Sequence, residues 1–343
     1  MKYVLSGFLI ACAVVAVATA QDRTSSMTGD RHTRWSTTEN GRQLRVETVG
    51  TIELTDDERD IKTVSPNGFF ELSSKGWLSL FGQRYIVRGN ADGTVTRVLM
   101  SAATERPIDE AARAWIGDTL QNLVRQGFLA EARARRILTE QGPAGVLEAA
   151  ADISSDFAQA KYFSVIATQG PIDRPNAERA LRMAAEDIGS DFELARVLIV
   201  YLDVITVDDA MVPVFVEATR SIGSDFEHSR VLRALIAKQP HTIAVVNAVV
   251  TSSTTIGSDF EKSRVFRELA EGMRLDASSL VGLIRASGSI GSDFEHSRVL
   301  RQIASSQPLD EASRREIVDS ARHIGSDYER TRVLASLVQG STP

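Results

Sequence analysis

From about position 105 onward, apolar residues recur at three- and four-residue spacing, the period of amphipathic helices. Pro107-Ile108-Asp109-Glu110 opens a first helix reaching about Arg125, with Ile108, Ala112, Trp115, Ile116, Leu120 and Leu123 on one side. Gly127 interrupts before a second helix from Phe128 to about Gln141, and Gly142-Pro143 interrupts before a third from Ala144 to Ile153. Residues 105–153 therefore read as irregular capping helices. Ahead of them the texture is of short apolar runs between turn residues: Leu44–Val49, Thr51–Leu54, Ile61–Val64, Phe69–Leu72, Trp77–Phe81, Tyr85–Val87 and Val95–Met100. Asn67-Gly68 and Asp92-Gly93 are favoured hairpin dipeptides, because such turns need positive φ. The pattern predicts a small antiparallel β meander over 42–104, too small for an independent core and expected to lean on the first helices. Residues 21–41 are polar and read as a flexible leader, in which Trp35 either packs against the segments after it or is an exposed exception.

Beyond Asp152 one phrase returns six times, beginning at Ile153, Ile188, Ile222, Ile256, Ile290 and Ile324; after the first interval of 35 residues the period is 34. A repeat of this length means a stack of supersecondary units. Each unit is expected to be a helical hairpin. The implied fold class is α+β, the β meander leading into a right-handed α-solenoid of HEAT-like hairpins over 154–343, whose neighbours bury one another's apolar faces.

Each position in the phrase carries an expectation. Ser190, Ser224, Ser258, Ser292 and Ser326 are N-caps, and the glutamate three residues later completes a capping box. Asp191, Asp225, Asp259, Asp293 and Asp327 fall in the first turn, where their charge meets the helix dipole favourably. Gly223 and its equivalents let the chain turn sharply, with Ile222 as a hydrophobic staple. Phe226 is expected to share the core face with Ser229 and Leu232, so that Phe226→Ala would cost about 3–5 kcal/mol. Arg196, Arg230, Arg264, Arg298 and Arg332, with Lys161 in the degenerate first copy, suggest an aspartate–arginine ladder between neighbouring repeats, or a basic binding stripe. The second helices are expected over Thr206–Ser221, Thr242–Thr254, Asp276–Ser287 and Leu309–His323, with Pro213 kinking the first of them.

The first residues change the picture of where the chain works. Met1 and Lys2, the apolar run from Val4 to Val17 and Ala18-Thr19-Ala20 read as a secretory signal peptide over 1–20. Leu9-Ile10-Ala11-Cys12 also fits a lipobox, so lipidation at Cys12 and retention as an anchor stay open beside cleavage after Ala20. Cys12 is the only cysteine; a chain cleaved after Ala20 has no thiol for disulfides, thiolate catalysis or metal binding. The formal charge of −6 gives no reason to expect nucleic acid. The expected location is the periplasm or outside the cell, with membrane contact only through a retained or lipidated N-terminus.

Chemistry-bearing motifs are missing. There is no H-E-x-x-H, G-x-S-x-G, phosphate loop or EF-hand pattern, so no catalytic residue, cofactor or metal is assigned. His228 and His296 stand where other units carry Leu194, Lys262 and Arg330, a mixture that suggests a solvent face. Asp56, Asp57, Glu58 and Asp60 suggest a solvated turn, or a weak cation site.

The repeat phrase, together with Gly50-Thr51-Ile52-Glu53-Leu54-Thr55-Asp56-Asp57 and Ser65-Pro66-Asn67-Gly68, resembles a group of poorly characterised exported bacterial proteins. The same layout resembles extracytoplasmic regions attached to membrane metallopeptidases of the antibiotic-sensor type. No multi-span part or zinc-binding histidine pair accompanies it here, so the resemblance implies a sensing or interaction module without catalysis. The tetratricopeptide signature is absent, and HEAT-like hairpins are the nearer comparison. The expected function is a non-enzymatic extracytoplasmic scaffold for another protein, with binding information in the positions that break the repeat. A structural envelope component or accessory subunit is the alternative, and an enzyme with an unrecognised site is the more distant one.

Overall fold

A computed structural model describes residues 23–27, 30–39, 42–76, 82–168, 170 and 172–339. The signal-peptide and lipobox readings and the Trp77–Phe81 run lie outside these residues. The chain divides into two units, 1–124 and 125–343.

The first unit holds strands β1 (Arg23–Met27), β2 (Asp30–Glu39), β3 (Arg42–Val49), β4 (Ile52–Leu54), β5 (Ile61–Val64), β6 (Phe69–Gly76), β7 (Gln83–Gly89), β8 (Val95–Ser101) and β9 (Thr104–Arg106), then helix α1 (Glu110–Arg125). Seven strands form one antiparallel sheet in the order β1-β2-β3-β6-β7-β8-β9, while β4 and β5 pair separately. Within the polar segment read as a flexible leader, residues 23–27 and 30–39 are therefore β structure. Register explains why. Trp35 lies opposite Val46, Val46 opposite Leu72, Leu72 opposite Tyr85 and Tyr85 opposite Leu99. All five are buried, so one inward-facing row crosses the sheet and Trp35 anchors its β2 end. Backbone pairing with β3 supplies what the composition of β2 lacks. Asn67 does take positive φ, at 62°, but its turn leads from the β4–β5 pair back to the main sheet instead of closing a hairpin. Asp92-Gly93 joins the paired strands β7 and β8, with Gly93 at φ 84°. Helix α1, expected among the capping helices of the array, belongs to this unit and buries Ile116, Leu120 and Leu123.

The second unit begins with α2 (Ala130–Ala151), broken at Gly142 where φ is 71° and ψ −171°. Then come α3 (Asp156–Thr168), α4 (Arg174–Asp187), α5 (Asp191–Tyr201), α6 (Val212–Arg220), α7 (Asp225–Lys238), α8 (Ile243–Ser253), α9 (Asp259–Gly272), α10 (Ala277–Ser287), α11 (Asp293–Ser306), α12 (Glu311–Ala321) and α13 (Asp327–Gln339). The odd-numbered helices from α3 to α13 pack each against the next, and the even-numbered ones from α4 to α12 do the same. The result is an array of helices in two rows with repeating pairwise contacts. Between the rows lies a continuous core, to which each repeat from the second on contributes an equivalent valine (Val197, Val231, Val265, Val299, Val333) and the first contributes Tyr162, all fully buried.

The caps fix where each helix starts. Ser224 Oγ accepts from Glu227 N at 3.4 Å and Ser258 Oγ from Glu261 N at 3.3 Å, and Ser190, Ser292 and Ser326 do likewise. In the second row Asp173, Thr242, Asp276 and Asp310 are the caps. Pro213 sits in the first turn of α6, where its missing N–H is no loss and its fixed φ suits a helix start. It begins that helix and does not kink it.

Candidate interaction surface

The aspartate of the repeat phrase works between repeats. Asp225 accepts from Gly257 N at 2.8 Å and from Ser258 N at 2.7 Å in the following unit. Asp259 bonds Gly291 N and Ser292 N in the same way, and Asp293 bonds Gly325 N and Ser326 N; Asp191 bonds Gly223 N at 2.9 Å. The carboxylate thus holds the turn that starts the next helix. The glycine is there for close approach, since none of these takes positive φ. A Cβ on Gly257 would stand 3.2 Å from the Asp225 carboxylate, so that the carboxylate would have to move back to admit it. Asp259→Ala removes two charge-assisted hydrogen bonds and is expected to lower stability by roughly 1–3 kcal/mol, measured by urea unfolding. Asp327, in the last copy, pairs with Arg330 on its own helix.

The glutamate likewise leaves the capping box half-built. Glu261 accepts from Ser229 Oγ of the preceding repeat at 2.5 Å and from Arg264 Nη1 of its own helix at 3.0 Å. Glu295 and Glu329 are held alike by Ser263 with Arg298 and by Ser297 with Arg332. Where the preceding repeats carry Ala160 and Ala195 in place of serine, Glu193 Oε2 and Glu227 Oε2 lack a hydrogen bond. The expected aspartate–arginine ladder is therefore replaced. Arg196, Arg230, Arg264, Arg298 and Arg332 each pair with the glutamate three residues earlier, while the aspartates take the backbone of the next turn.

The phenylalanine of the phrase is on the surface, against expectation. Phe226 is 52% exposed, and Phe157, Phe192, Phe260, Phe294 and Tyr328 are exposed as well. Its place in the core is taken one turn and a half later by Leu198, Leu232, Phe266 and Leu300, all fully buried. Four residues beyond each exposed ring, and so on the same helix face, stands the arginine, or Lys161 after Phe157. Arg230 lies over the Phe192 ring of the preceding repeat at 5.4 Å, and Arg264 lies over Phe260 of its own helix at 5.6 Å. Arg196 covers Phe157, Arg298 covers Phe294 and Arg332 covers Tyr328. A row of exposed rings crosses α3, α5, α7, α9, α11 and α13, alternating with half-exposed cations that are guanidinium groups on every helix but α3, where Lys161 stands. Each arginine is held twice, by a carboxylate and by a ring, which preorganises the row for contact.

The position shared by Leu194, His228, Lys262 and His296 is buried, not solvent-facing. His228 Nε2 is 2.9 Å from Ser252 Oγ and His296 Nε2 is 2.9 Å from Ser320 Oγ. Lys262 Nζ reaches out of the core to donate to the Ser289 carbonyl at 3.0 Å. The repeat carries its own signal for this. The residue 24 positions after the histidine is serine in both units, and it is alanine (Ala218, Ala286) after Leu194 and Lys262. Burial pushes the His228 pKa down and takes that of His296 to about 4. Gln239 and Gln307, also missed in the sequence, fasten each repeat to the loop of the one before. Gln239 accepts from Val207 N at 2.8 Å and donates to Leu202 O at 2.6 Å, and Gln307 accepts from Leu275 N.

In the β unit the acidic cluster is dispersed. Asp57 accepts from Thr55 Oγ1 and Arg59 N, Asp56 faces Lys62, and Asp60 accepts from Tyr85 Oη and Arg97 Nε. A cleft of about 560 Å³ opens there, bordered by Arg59, Asp60, Tyr85, Arg97 and Arg113. Burial and the Asp60 carboxylate raise the Tyr85 pKa, so this phenol stays protonated and Asp60 is engaged as its acceptor. Among the described residues no three His, Cys, Asp or Glu side chains converge as a metal site requires, and no helix is long and apolar enough to cross a membrane. The helical array offers a patterned surface in place of an evident catalytic constellation. Compared with known families and with curated proteins, the chain matches no family model and no curated relative.

Proposed function

We propose that the chain is a non-enzymatic, extracytoplasmic scaffold that binds another protein along the aromatic–arginine row of its HEAT-like, right-handed helical array. The observation that carries this reading is the exposure of the same ring in all six copies, from Phe157 at 44% to Tyr328 at 70%. An aromatic left half in water at every repeat contributes little to folding, and aromatic residues with arginine are the enriched anchors of protein interfaces. A large exposed apolar pattern of this kind marks an interaction site. The N-terminal apolar segment with its Ala18-Thr19-Ala20 end supports a place of work outside the cytoplasm, with Cys12 as an alternative lipid anchor.

The test uses the full chain with Phe192, Phe226, Phe260 and Phe294 replaced together by Ser. Crosslinked partner recovered from envelope extracts is expected to fall by about tenfold or more, following the weight of aromatic anchors at interfaces, with the melting temperature little changed. Equal recovery from the variant would refute the row as the binding surface. Fractionation of cells producing the chain tests its location; finding it in the cytoplasm would refute that part.

A further inference from the structure

Beside the aromatic row runs another at the eighth position after each repeat aspartate from Asp191 on: Ile199, Arg233, Arg267, Arg301 and Ala335. It lies on the same face of each helix, one turn past the first arginine. Arg233 forms an ion pair with Glu268 of the next repeat. The equivalents of Glu268 in the two following repeats are Gln302 and Ser336. Arg267 and Arg301 accordingly have no such carboxylate, and Arg267 Nε and Arg301 Nη1 are buried without a hydrogen-bond acceptor. Glu295 and Glu329 attract these guanidinium groups electrostatically, but each is already bonded to its own arginine and to a serine. Exposed Glu271 attracts Arg267 as well, without an ion pair. A buried donor left unbonded is costly, and the rest of each guanidinium stays partly exposed without an ion pair, so α9 and α11 present two cations that lack the carboxylate Arg233 has.

Resting on the scaffold reading, we propose that Arg267 and Arg301 bind the carboxylates of an acidic segment of the partner polypeptide, laid across α9 and α11 in polyproline II conformation with an acidic residue at every third position. The spacing makes the match. Packed helices stand about 8–10 Å apart, and a polyproline II strand advances about 9.3 Å per three-residue turn, returning to the same side each time. An extended β segment repeats its side at about 6.6 Å and falls out of step. Phe260 and Phe294, exposed two turns earlier on the same helices, supply the aromatic surface on which such a strand packs. Guanidinium–carboxylate pairing at the solvent-facing nitrogens then supplies the ion pair that Arg233 draws from Glu268.

The probe is a fluorescently labelled peptide of repeating Glu-Pro-Pro, titrated by anisotropy at low salt with the full chain. A peptide of the same composition with its glutamates contiguous and a carboxylated polysaccharide serve as comparisons. The spaced peptide is expected to bind about tenfold more tightly than the contiguous one, to weaken about tenfold in Arg267→Gln/Arg301→Gln, and to change little in Arg233→Gln. Gln302→Glu provides a second reading in a chain with its fold intact. It gives Arg267 the partner that Arg233 has, so it should raise the melting temperature and weaken the peptide severalfold. Equal affinity for both peptides, no binding, indifference to Gln302→Glu, or a preference for the polysaccharide that depends on Arg267 each overturns the proposal. None of these outcomes touches the partner-capture result with the aromatic-row variant, so the scaffold reading stands or falls separately.

Discussion

Phe266→Ala is expected to lower the unfolding free energy by about 3–5 kcal/mol, whereas Phe260→Ala, six residues earlier on α9, should change it by less than about 1 kcal/mol. Phe266 has no exposed surface, while Phe260 keeps 51% of its own. Removing the first ring opens a void between the two helix rows, where Leu269 and Ala270 are also fully buried and backbone on both sides limits collapse. Removing the second takes away a ring that water already reaches and a contact with Arg264, which keeps its pairing with Glu261. Urea unfolding of both variants, read by circular dichroism, checks the difference. Equal losses would mean that the aromatic row is structural, and the interaction surface would lose its main support.

Acid should unfold the array through its buried histidines. His296 is held neutral: burial is the main cause, the nearby His323 adds to it, and Asp293 opposes it, leaving a pKa of about 4. In the unfolded chain the same imidazole takes its proton near its ordinary value of 6.5. The unfolded state therefore binds more protons between those values. The histidine's contribution is complete above pH 6.5 and is lost as pH falls toward 4, by on the order of 3 kcal/mol. His228, lowered by burial in the same direction, adds to the loss. Unfolding free energies measured from pH 7 to pH 4 should fall accordingly. His296→Leu with Ser320→Ala reproduces the Leu194 and Ala218 combination of an earlier repeat and should flatten the profile. An unchanged slope in that double variant would show that other groups set the acid sensitivity.

Some of the site is written in the sequence without being legible there. The pairing of histidine with a serine 24 residues later marks a buried polar contact once the repeats are laid over one another. Taken position by position, Leu, His, Lys and Arg at one place suggest tolerance, and tolerance suggests water. What the position shares is a long side chain that crosses the helix interface and either stays apolar or carries its polar end to an acceptor. The Ser229–Glu261 contact is equally hidden, because a small residue at a helix crossing is explained sufficiently by close approach.

By itself the sequence determined the repeat period, the starts of the first-row helices with their serine caps, and strands β3 to β8 of the β unit. These depend on interactions within a few residues: a serine oxygen on the N–H three places on, apolar positions returning every turn. The tertiary structure decided which of two apolar stripes is buried and whom the charged groups meet. Phe260 and Phe266 both fit an amphipathic helix, but only stacking against α7, α10 and α11 puts Phe266 inside and leaves Phe260 beside Arg264 in water. The same stacking takes Asp259 away from a purely local role and gives it the backbone of the next repeat, some thirty residues ahead. In the β unit, strand pairing aligns Trp35, in a polar segment with no strand pattern of its own, with the inward row of the sheet. Neighbours distant in sequence fix these choices, because burial and hydrogen-bond partners belong to the packed unit and not to the segment.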